Sequence, residues 1–139
     1  MADGVAKDFW KHALAQACPV GHTYKLALFA EELPQDAVYD ASKEIVGHGY
    51  QPGGATLTGL RIEADEAGVA RLCFDKRVEW LNAEIAARSA LIYDATAGVP
   101  LRIIDFGRRV GVSGGLFEVL LSDAGVLHLG DYSGDSTNE

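Results

Sequence analysis

Hydrophobic residues near the start of the chain recur at the spacing of a helix. Phe9, Trp10 and Leu14 lie close to a 3.6-residue period, which predicts a short amphipathic helix over residues 4 to 17. The helix is expected to end before Pro19, because the residue that precedes a proline avoids the helical region. The two aromatic residues need cover, either from their own domain or from a partner surface.

After residue 22 the pattern changes to the alternation that is typical of β-strands. Residues 24 to 29 place Tyr24, Leu26 and Leu28 on one face and Lys25 on the other. Similar segments follow at the short, regular spacing expected of a β-sandwich or a β-barrel. These segments are residues 55 to 63, 69 to 74, 78 to 81, 89 to 93, 101 to 106, 116 to 121 and 126 to 129.

The connections between the predicted strands are rich in glycine, proline and polar residues. Residues 47 to 54 are predicted to form a long turn, and residues 111 to 115 are predicted to form a hairpin loop. Periodicity does not decide two other segments. Residues 35 to 46 fit a short helix or an irregular strand, and residues 82 to 88 fit a connection or one helical turn.

Together these elements predict an all-β fold. Strands do not alternate with helices along the chain, which excludes a Rossmann fold or another parallel α/β fold. We expect an antiparallel two-sheet sandwich of about eight strands, of the jelly-roll kind, with a short N-terminal helix. The chain then divides into an N-terminal helix or arm (1–22), a β-sandwich domain (23–129) and a flexible acidic tail (130–139).

The composition fits one globular domain of 139 residues, with 48% hydrophobic and 23% charged residues. A formal net charge of −8 argues against nucleic-acid binding, because phosphate contacts need a basic surface. Basic residues concentrate in the middle of the chain, where residues 71 to 109 carry seven basic and five acidic side chains. Such an asymmetry can orient a protein on a partner, although a solvated mixture of surface charges is the simpler explanation.

Several features indicate the compartment. No apolar run approaches the roughly 20 residues of a membrane span, so we expect no membrane association. Residues 1 to 4 lack the basic and apolar regions of a secretion signal. Cys18 and Cys73 form no C-x-x-C motif, which predicts free thiols rather than a disulfide framework or a zinc site. We therefore expect synthesis in a reducing cytoplasm.

Two short motifs look like parts of catalytic sites. Residues 111 to 115 match G-x-S-x-G, with Asp123 and His128 in the hydrolase order, but a nucleophile elbow needs a following helix and this segment predicts a strand. Residues 105 to 107 read D-F-G without the other parts of a kinase site. The four histidines show no metal-ligand spacing. We expect no enzyme activity, no cofactor and no metal.

Five further segments stand in a fixed order along the chain. They are Y-K-L-A-L-F at residues 24 to 29, E-I-V-G-H-G-Y-Q-P-G-G at 44 to 54, Trp80, R-S-A-L-I-Y at 88 to 93 and D-F-G at 105 to 107. This series resembles small structural proteins of tailed bacteriophages, and it is most similar to the cement (decoration) proteins that coat the capsid. The resemblance covers residues 23 to 121 and leaves out the leading helix and the acidic tail.

The resemblance implies a structural virion protein. It implies a jelly roll that pairs into homodimers, binds the exterior of the phage head and staples neighbouring subunits of the major capsid protein. The protein would be made in the host bacterial cytoplasm and would end in the virion. Such a role needs a stiff sheet and complementary rims rather than a reaction centre, and many copies each add a modest interface.

Candidate contact residues come from two places in the chain. Phe9 and Trp10 lie on the leading helix, and Arg108 and Arg109 lie in the basic middle, where they would suit acidic rims of the shell. Within the long turn, one set of residues is expected to define the backbone shape, with the tyrosine packing over it. This set is Gly47, Gly49, Tyr50, Gly53 and Gly54.

A tail-fibre module that binds a carbohydrate or a receptor is the alternative function. Jelly rolls host lectins, and exposed aromatic side chains can stack on sugars. A fibre module would be expected to carry trimer-forming repeats or a coiled-coil shaft, and this sequence has neither. The sequence therefore favours the capsid over the tail.

Overall fold

The computed structural model describes residue 6, residues 8–122 and residues 125–130. These residues form one α-helix, one 3₁₀ turn and seven β-strands. The helix α1 is Phe9–Ala17, and the 3₁₀ turn is Ala41–Lys43. The strands are β1 (Tyr24–Phe29), β2 (Ala55–Thr56), β3 (Arg61–Ala64), β4 (Ala70–Cys73), β5 (Arg77–Asp94), β6 (Val99–Leu120) and β7 (Leu127–Leu129).

The strands form two antiparallel sheets. The first sheet has the order β2–β1–β5–β6, and the second sheet has the order β3–β4–β7. The predicted all-β, antiparallel two-sheet sandwich with a short N-terminal helix is confirmed. The described residues contribute seven strands, in sheets of four and three, where about eight strands were predicted.

The main core lies between the two sheets. Leu26 and Leu28 from β1 and Ile92 from β5 meet Leu72 from β4, and all four side chains are fully buried. Burial of one such side chain stabilises the fold by about 1.5–3 kcal/mol. The alternation read from residues 24 to 29 therefore does face the core.

A second, smaller cluster covers the opposite face of the first sheet. Phe29, Leu91 and Tyr93 are buried there beneath the segment that follows β1, which contributes Leu33 and Tyr39. Because both faces of the sheet are covered at this point, β1 and the end of β5 are apolar almost continuously rather than at alternate positions.

Helix α1 packs against the second sheet, on β3, β4 and β7. Leu14 is its buried anchor, at 3% exposure, Trp10 is half-buried and Phe9 is exposed. The helix begins at Phe9 and ends at Ala17, inside the predicted range of residues 4 to 17. The predicted tail of residues 130–139 lies outside the described residues except for Gly130.

Strands β5 and β6 are much longer than the sequence pattern predicted. Residues 78 to 81 and 89 to 93 were expected as separate strands, and both belong to β5. The helical turn considered for residues 82 to 88 is wrong, since burial alternates along this stretch with the two-residue period of a strand. The predicted hairpin loop at residues 111 to 115 is also wrong, because these residues lie within β6.

Irregular pairing explains why the two long strands looked broken. The register shifts at four places along the ladder between β5 and β6. The widest shift lies between the pairs Ala87–Val110 and Ser89–Asp105, where residues 106–109 of β6 lie opposite Arg88 alone, so that β6 has three extra residues. We call residues 106–109 the arginine bulge. Gly107 and Gly114 take positive φ angles of 83° and 70° at two of these irregularities.

The predicted strand over residues 55 to 63 is divided in two. Its first part is β2 in the first sheet, and its last part belongs to β3 in the second sheet. Gly59 lies between them with φ 74°, and a side chain there would collide with the carboxylate of Asp75. The chain therefore crosses from one sheet to the other at this glycine.

The close packing of Gly54 against β1 gives a test of the fold. Gly54 has φ 90°, and a Cβ atom there would overlap the carbonyl oxygen of Leu26. We expect Gly54→Ala to destabilise the protein by at least about 3 kcal/mol. Gly98→Ala is the matched control, because Gly98 also has a positive φ, 74°, but its Cβ position is open, so about 1 kcal/mol is expected. Urea unfolding measures both, and equal losses would contradict the packing.

Candidate functional site

The long turn of residues 47 to 54 is organised around a buried carboxylate, Glu44, which is 9% exposed. Tyr39 donates a hydrogen bond to its Oε1 atom over 2.7 Å. Its Oε2 atom accepts from the Tyr50 hydroxyl and, over 2.9 Å, from the backbone N–H of Gly53. Three donors thus satisfy a charge that would otherwise be costly to bury.

Tyr50 connects this carboxylate to the sheet. Its hydroxyl oxygen accepts a hydrogen bond of 3.0 Å from the backbone N–H of Leu28. Its ring stacks on the ring of Trp80, with 6.1 Å between the ring centroids. Burial, together with the hydrogen bond to Glu44, raises the pKa of Tyr50. The phenol therefore stays protonated and keeps its donor for Glu44.

Two further tyrosines close the outer side of the turn. The rings of Tyr39 and Tyr93 stack with 4.8 Å between their centroids. The Tyr93 hydroxyl donates a hydrogen bond to the carbonyl oxygen of Gly53 over 2.7 Å. Burial and the hydrogen bond to Glu44 raise the pKa of Tyr39 to about 12. The arrangement holds neutral donors on a satisfied carboxylate, which makes it a structural tie between the turn and the first sheet.

The five turn residues proposed from the sequence have different surroundings. Gly49, Gly53 and Gly54 have positive φ angles, whereas a Cβ atom on Gly47 would collide with the backbone of β5 at Glu84. Tyr50 is buried, as described above. Glu44, the first residue of the same motif, was not among the predicted residues, although it is the centre of the network. A lone acid before a glycine-rich turn was the available signal.

Replacing Glu44 tests whether this carboxylate holds the turn. Glu44→Ala leaves three donors without their acceptor and is expected to destabilise the fold by about 4 kcal/mol. Glu44→Gln keeps an acceptor oxygen, and the Tyr39 hydroxyl can turn to accept, so about 1.5 kcal/mol is expected. Chemical denaturation compares them with Glu66→Ala in an exposed turn, expected within about 0.5 kcal/mol. Similar values for all three variants would refute the role.

A second polar cluster ties the N-terminal arm to the hairpin end. His22 Nδ1 lies 2.6 Å from Asp94 Oδ2, and the other oxygen of Asp94 accepts from the N–H groups of Thr96 and Ala97 at 3.0 Å each. Burial raises the pKa of the nearby Cys18 thiol, and the charge of Asp94 raises it further. Both effects favour the protonated thiol, which is a weaker nucleophile than a thiolate.

Asp94 makes stability depend on pH in the acid range. Burial alone would raise the pKa of Asp94, but the hydrogen bonds from His22, Ala97 and Thr96 outweigh burial, so the pKa is lowered on folding. The unfolded state then binds the proton more tightly, with a pKa of about 3.9. The stabilisation by Asp94 is present above that pH and is lost as the pH falls through the folded pKa.

We expect Asp94→Asn to lower stability at pH 7 by about 2 kcal/mol and to flatten the rise in stability between pH 2.5 and 5. Urea unfolding across that range measures both effects. Asp36→Asn, in an exposed position, is the control and should keep the wild-type slope. Parallel stability curves for the wild type and Asp94→Asn would show that this carboxylate is not linked to folding.

The two arginines proposed from the sequence lie together on the arginine bulge, and both are exposed. Asp105 shapes the bulge, since its Oδ1 atom accepts from the N–H of Gly107 over 2.9 Å and from Arg88 Nε over 3.2 Å. The same hydrogen bonds lower the pKa of Asp105. The D-F-G tripeptide is therefore the start of a strand bulge. Arg109 also approaches the carbonyl of Ala30, at 3.5 Å.

The first half of β5 and the last part of β6 present a mixed apolar and charged outer face. Leu81, Leu116 and Leu120 are 66%, 48% and 61% exposed, while their strand neighbours Trp80 and Phe117 face the core. We call the surface of Leu81, Leu116 and Leu120 the leucine face. Sequence patterns do not predict this face, because they place residues 81 and 116 in two separate strands whose pairing is not visible in the sequence.

Charged residues lie between the leucines. Glu79 and Glu118 stand directly opposite each other across the two strands. One guanidinium serves both: Arg77 Nε is 2.9 Å from Glu118 Oε2, and Arg77 Nη1 is 3.4 Å from Glu79 Oε2. Two carboxylates thus share one cation, which leaves the centre of the leucine face with a net negative charge.

The structure does not gather the four contact candidates at one place. Phe9 and Trp10 lie on α1, which covers the second sheet, whereas Arg108 and Arg109 lie on β6 of the first sheet. Phe9 remains a surface side chain. Trp10 is half-buried, and its indole N–H has no hydrogen-bond partner among the described residues.

The remaining chemical motifs are also separated. Ser113 lies in β6 of the first sheet, His128 lies in β7 of the second sheet, and Asp123 is outside the described residues. The described residues contain no group of three or more His, Cys, Asp or Glu that could hold a metal ion. Within the same part of the chain, no helix is long and apolar enough to cross a membrane.

Open grooves run along the hairpin. One groove of about 570 Å³ lies between residues 44–46 and the two long strands, with Arg109 and Glu84 at its rim. Another, of about 320 Å³, is lined by apolar side chains of β6, including Ile104, Phe106 and Val110.

Comparison of the chain with family models, curated proteins and solved structures finds no match.

Proposed function

We propose that this protein is a capsid cement (decoration) protein of a tailed bacteriophage. It binds the exterior of the phage head and staples neighbouring subunits of the major capsid protein, and it acts as a homodimer. It is made in the host bacterial cytoplasm and becomes part of the virion. The motif series of the sequence suggests this class, and the leucine face is the structural observation that carries the proposal.

The leucine face supports a protein partner. Three leucines that are about half or more exposed at one end of the long β5–β6 hairpin form the kind of apolar patch that marks a protein–protein contact. They lie on β-strands whose other side is anchored in the core by Trp80 and Phe117. A rigid support of this kind lets a contact form with little loss of conformational freedom.

The arginine bulge supports a second contact on the same hairpin. Arg108 and Arg109 project from β6, the strand that also carries Leu116 and Leu120. The protein as a whole has a net charge of −8, but it presents two adjacent exposed cations here. These two cations can orient the protein on an acidic rim of its partner. Two contacts on one stiff hairpin suit a protein that bridges neighbouring subunits of a lattice.

Other features weigh against the tail-fibre alternative. Of the described aromatic side chains, Phe9 is the one that is exposed, whereas Trp80 and Tyr93 are buried. Sugar-binding surfaces that use stacking need exposed aromatic rings, and one ring on a terminal helix is a small platform. The described surface therefore favours the capsid role over the tail-fibre module.

Immunogold electron microscopy tests the proposal. Antibodies against this chain are applied to phage particles purified from an induced culture of the strain that carries the gene. We expect regular labelling over the heads, and particles from a deletion strain serve as the control. Labelling at the tail tip would support the receptor-binding module instead. Particles without any label would exclude a virion protein.

A further inference from the structure

The last part of β6 is a free sheet edge. In the described part of the chain β6 pairs with β5 on one side, and no strand lies on its other side. From Phe117 to Leu120 the pairing with β5 is regular, without a bulge. Edge strands expose backbone N–H and C=O groups that can pair with a strand of another protein.

This edge lacks the usual protection against pairing. The N-terminal part of β6 is interrupted by Pro100 and by the arginine bulge, both of which hinder a neighbouring strand. The segment from Leu116 to Leu120 carries one charged residue, Glu118, between two exposed leucines. A partner strand would therefore find both backbone groups and apolar side chains at this place.

A second copy of the same strand does not fit this edge. An antiparallel pairing that places Leu116 opposite Leu120 of the other copy also places Glu118 opposite Glu118. Like charges directly across a pair of strands are destabilising, and Arg77 is already shared between Glu118 and Glu79. A shift of the register sets leucine against glutamate. The charge at the centre instead calls for a cation.

We infer that the edge of β6 from Leu116 to Leu120 receives an extended strand that carries a lysine or arginine opposite Glu118 and apolar residues two positions to either side. The pattern follows from the two-residue period of strands, since only alternate residues of the partner lie on the leucine face. This inference rests on the proposed function for its partner, which is then an exposed segment of the major capsid subunit.

A designed peptide probes the edge directly. The probe is a fluorescent nonapeptide with lysine at its centre, leucine two positions to either side and threonine at the remaining positions. The full-length chain is the receptor. Fluorescence anisotropy is expected to show binding at least tenfold tighter than for the same peptide with a central glutamate. In Glu118→Lys the preference is expected to reverse, because the charge opposite the centre changes sign.

Matched variants separate this edge from general surface effects. Glu63→Lys is the control for charge, because Glu63 is also a partly exposed strand carboxylate held by arginine, with Arg61 Nε at 3.1 Å, but it lies in the second sheet. Leu116→Ser is expected to weaken binding of the lysine peptide about tenfold. Val38→Ser, at a residue that is 57% exposed, should leave binding unchanged. Thermal melts confirm that each variant is folded.

The same variants are then added to particles from the deletion strain, and head labelling is measured. Labelling by the wild type but not by Glu118→Lys or Leu116→Ser supports the inference together with the proposed function. Peptide binding without head labelling supports the edge and overturns the capsid role. Head labelling that is equal for all variants overturns the edge and keeps the capsid role. A wild-type dimer that Leu116→Ser dissociates in analytical ultracentrifugation overturns the inference, because the edge is then a self-contact.

Discussion

The pairing of β5 with β6 is the interaction on which the rest of the structure depends. One side of this hairpin supplies Trp80, Ile92 and Phe117 to the core, and the other side carries the leucine face. Because side chains alternate along the regularly paired stretch of residues 77 to 80 and 117 to 120, the buried set there fixes the exposed set. A slip of one residue would bury the leucines and expose the aromatic rings, so the register of the hairpin determines both stability and the shape of the outer surface.

The buried carboxylate of Glu44 imposes a second, local constraint. It holds a long turn that could otherwise take many conformations, and it does so through tyrosine hydroxyl and backbone donors rather than through a cation. Burying such a network costs little free energy when every oxygen has a hydrogen-bond donor, and it costs much more when one donor is lost. These hydrogen bonds restrain the turn, and the turn also pairs with β5 at Glu84, close to the leucine face.

A sheet edge and an apolar face act together in the proposed contact. Backbone hydrogen bonds give a strand of almost any sequence some affinity, whereas the leucines and Glu118 decide which strand is preferred. A single contact of this size is weak. Repeated around a shell, weak contacts on a stiff support can resist the separation of neighbouring subunits, because every copy that bridges two subunits must be released before they part.

The sequence by itself determined the fold class, the long turn at residues 47 to 54, the leading helix and the first strand, because these follow from local periodicity and from glycine and proline positions. It could not determine that β5 and β6 run unbroken, since bulges between partners look like loops when only one strand is read. The partners of Glu44 and the assembly of the leucine face were likewise decided by the tertiary structure. Tyr93 is far from Glu44 in the chain, and Leu81 is far from Leu116. Only the pairing of strands brings the members of each pair into the same part of the structure.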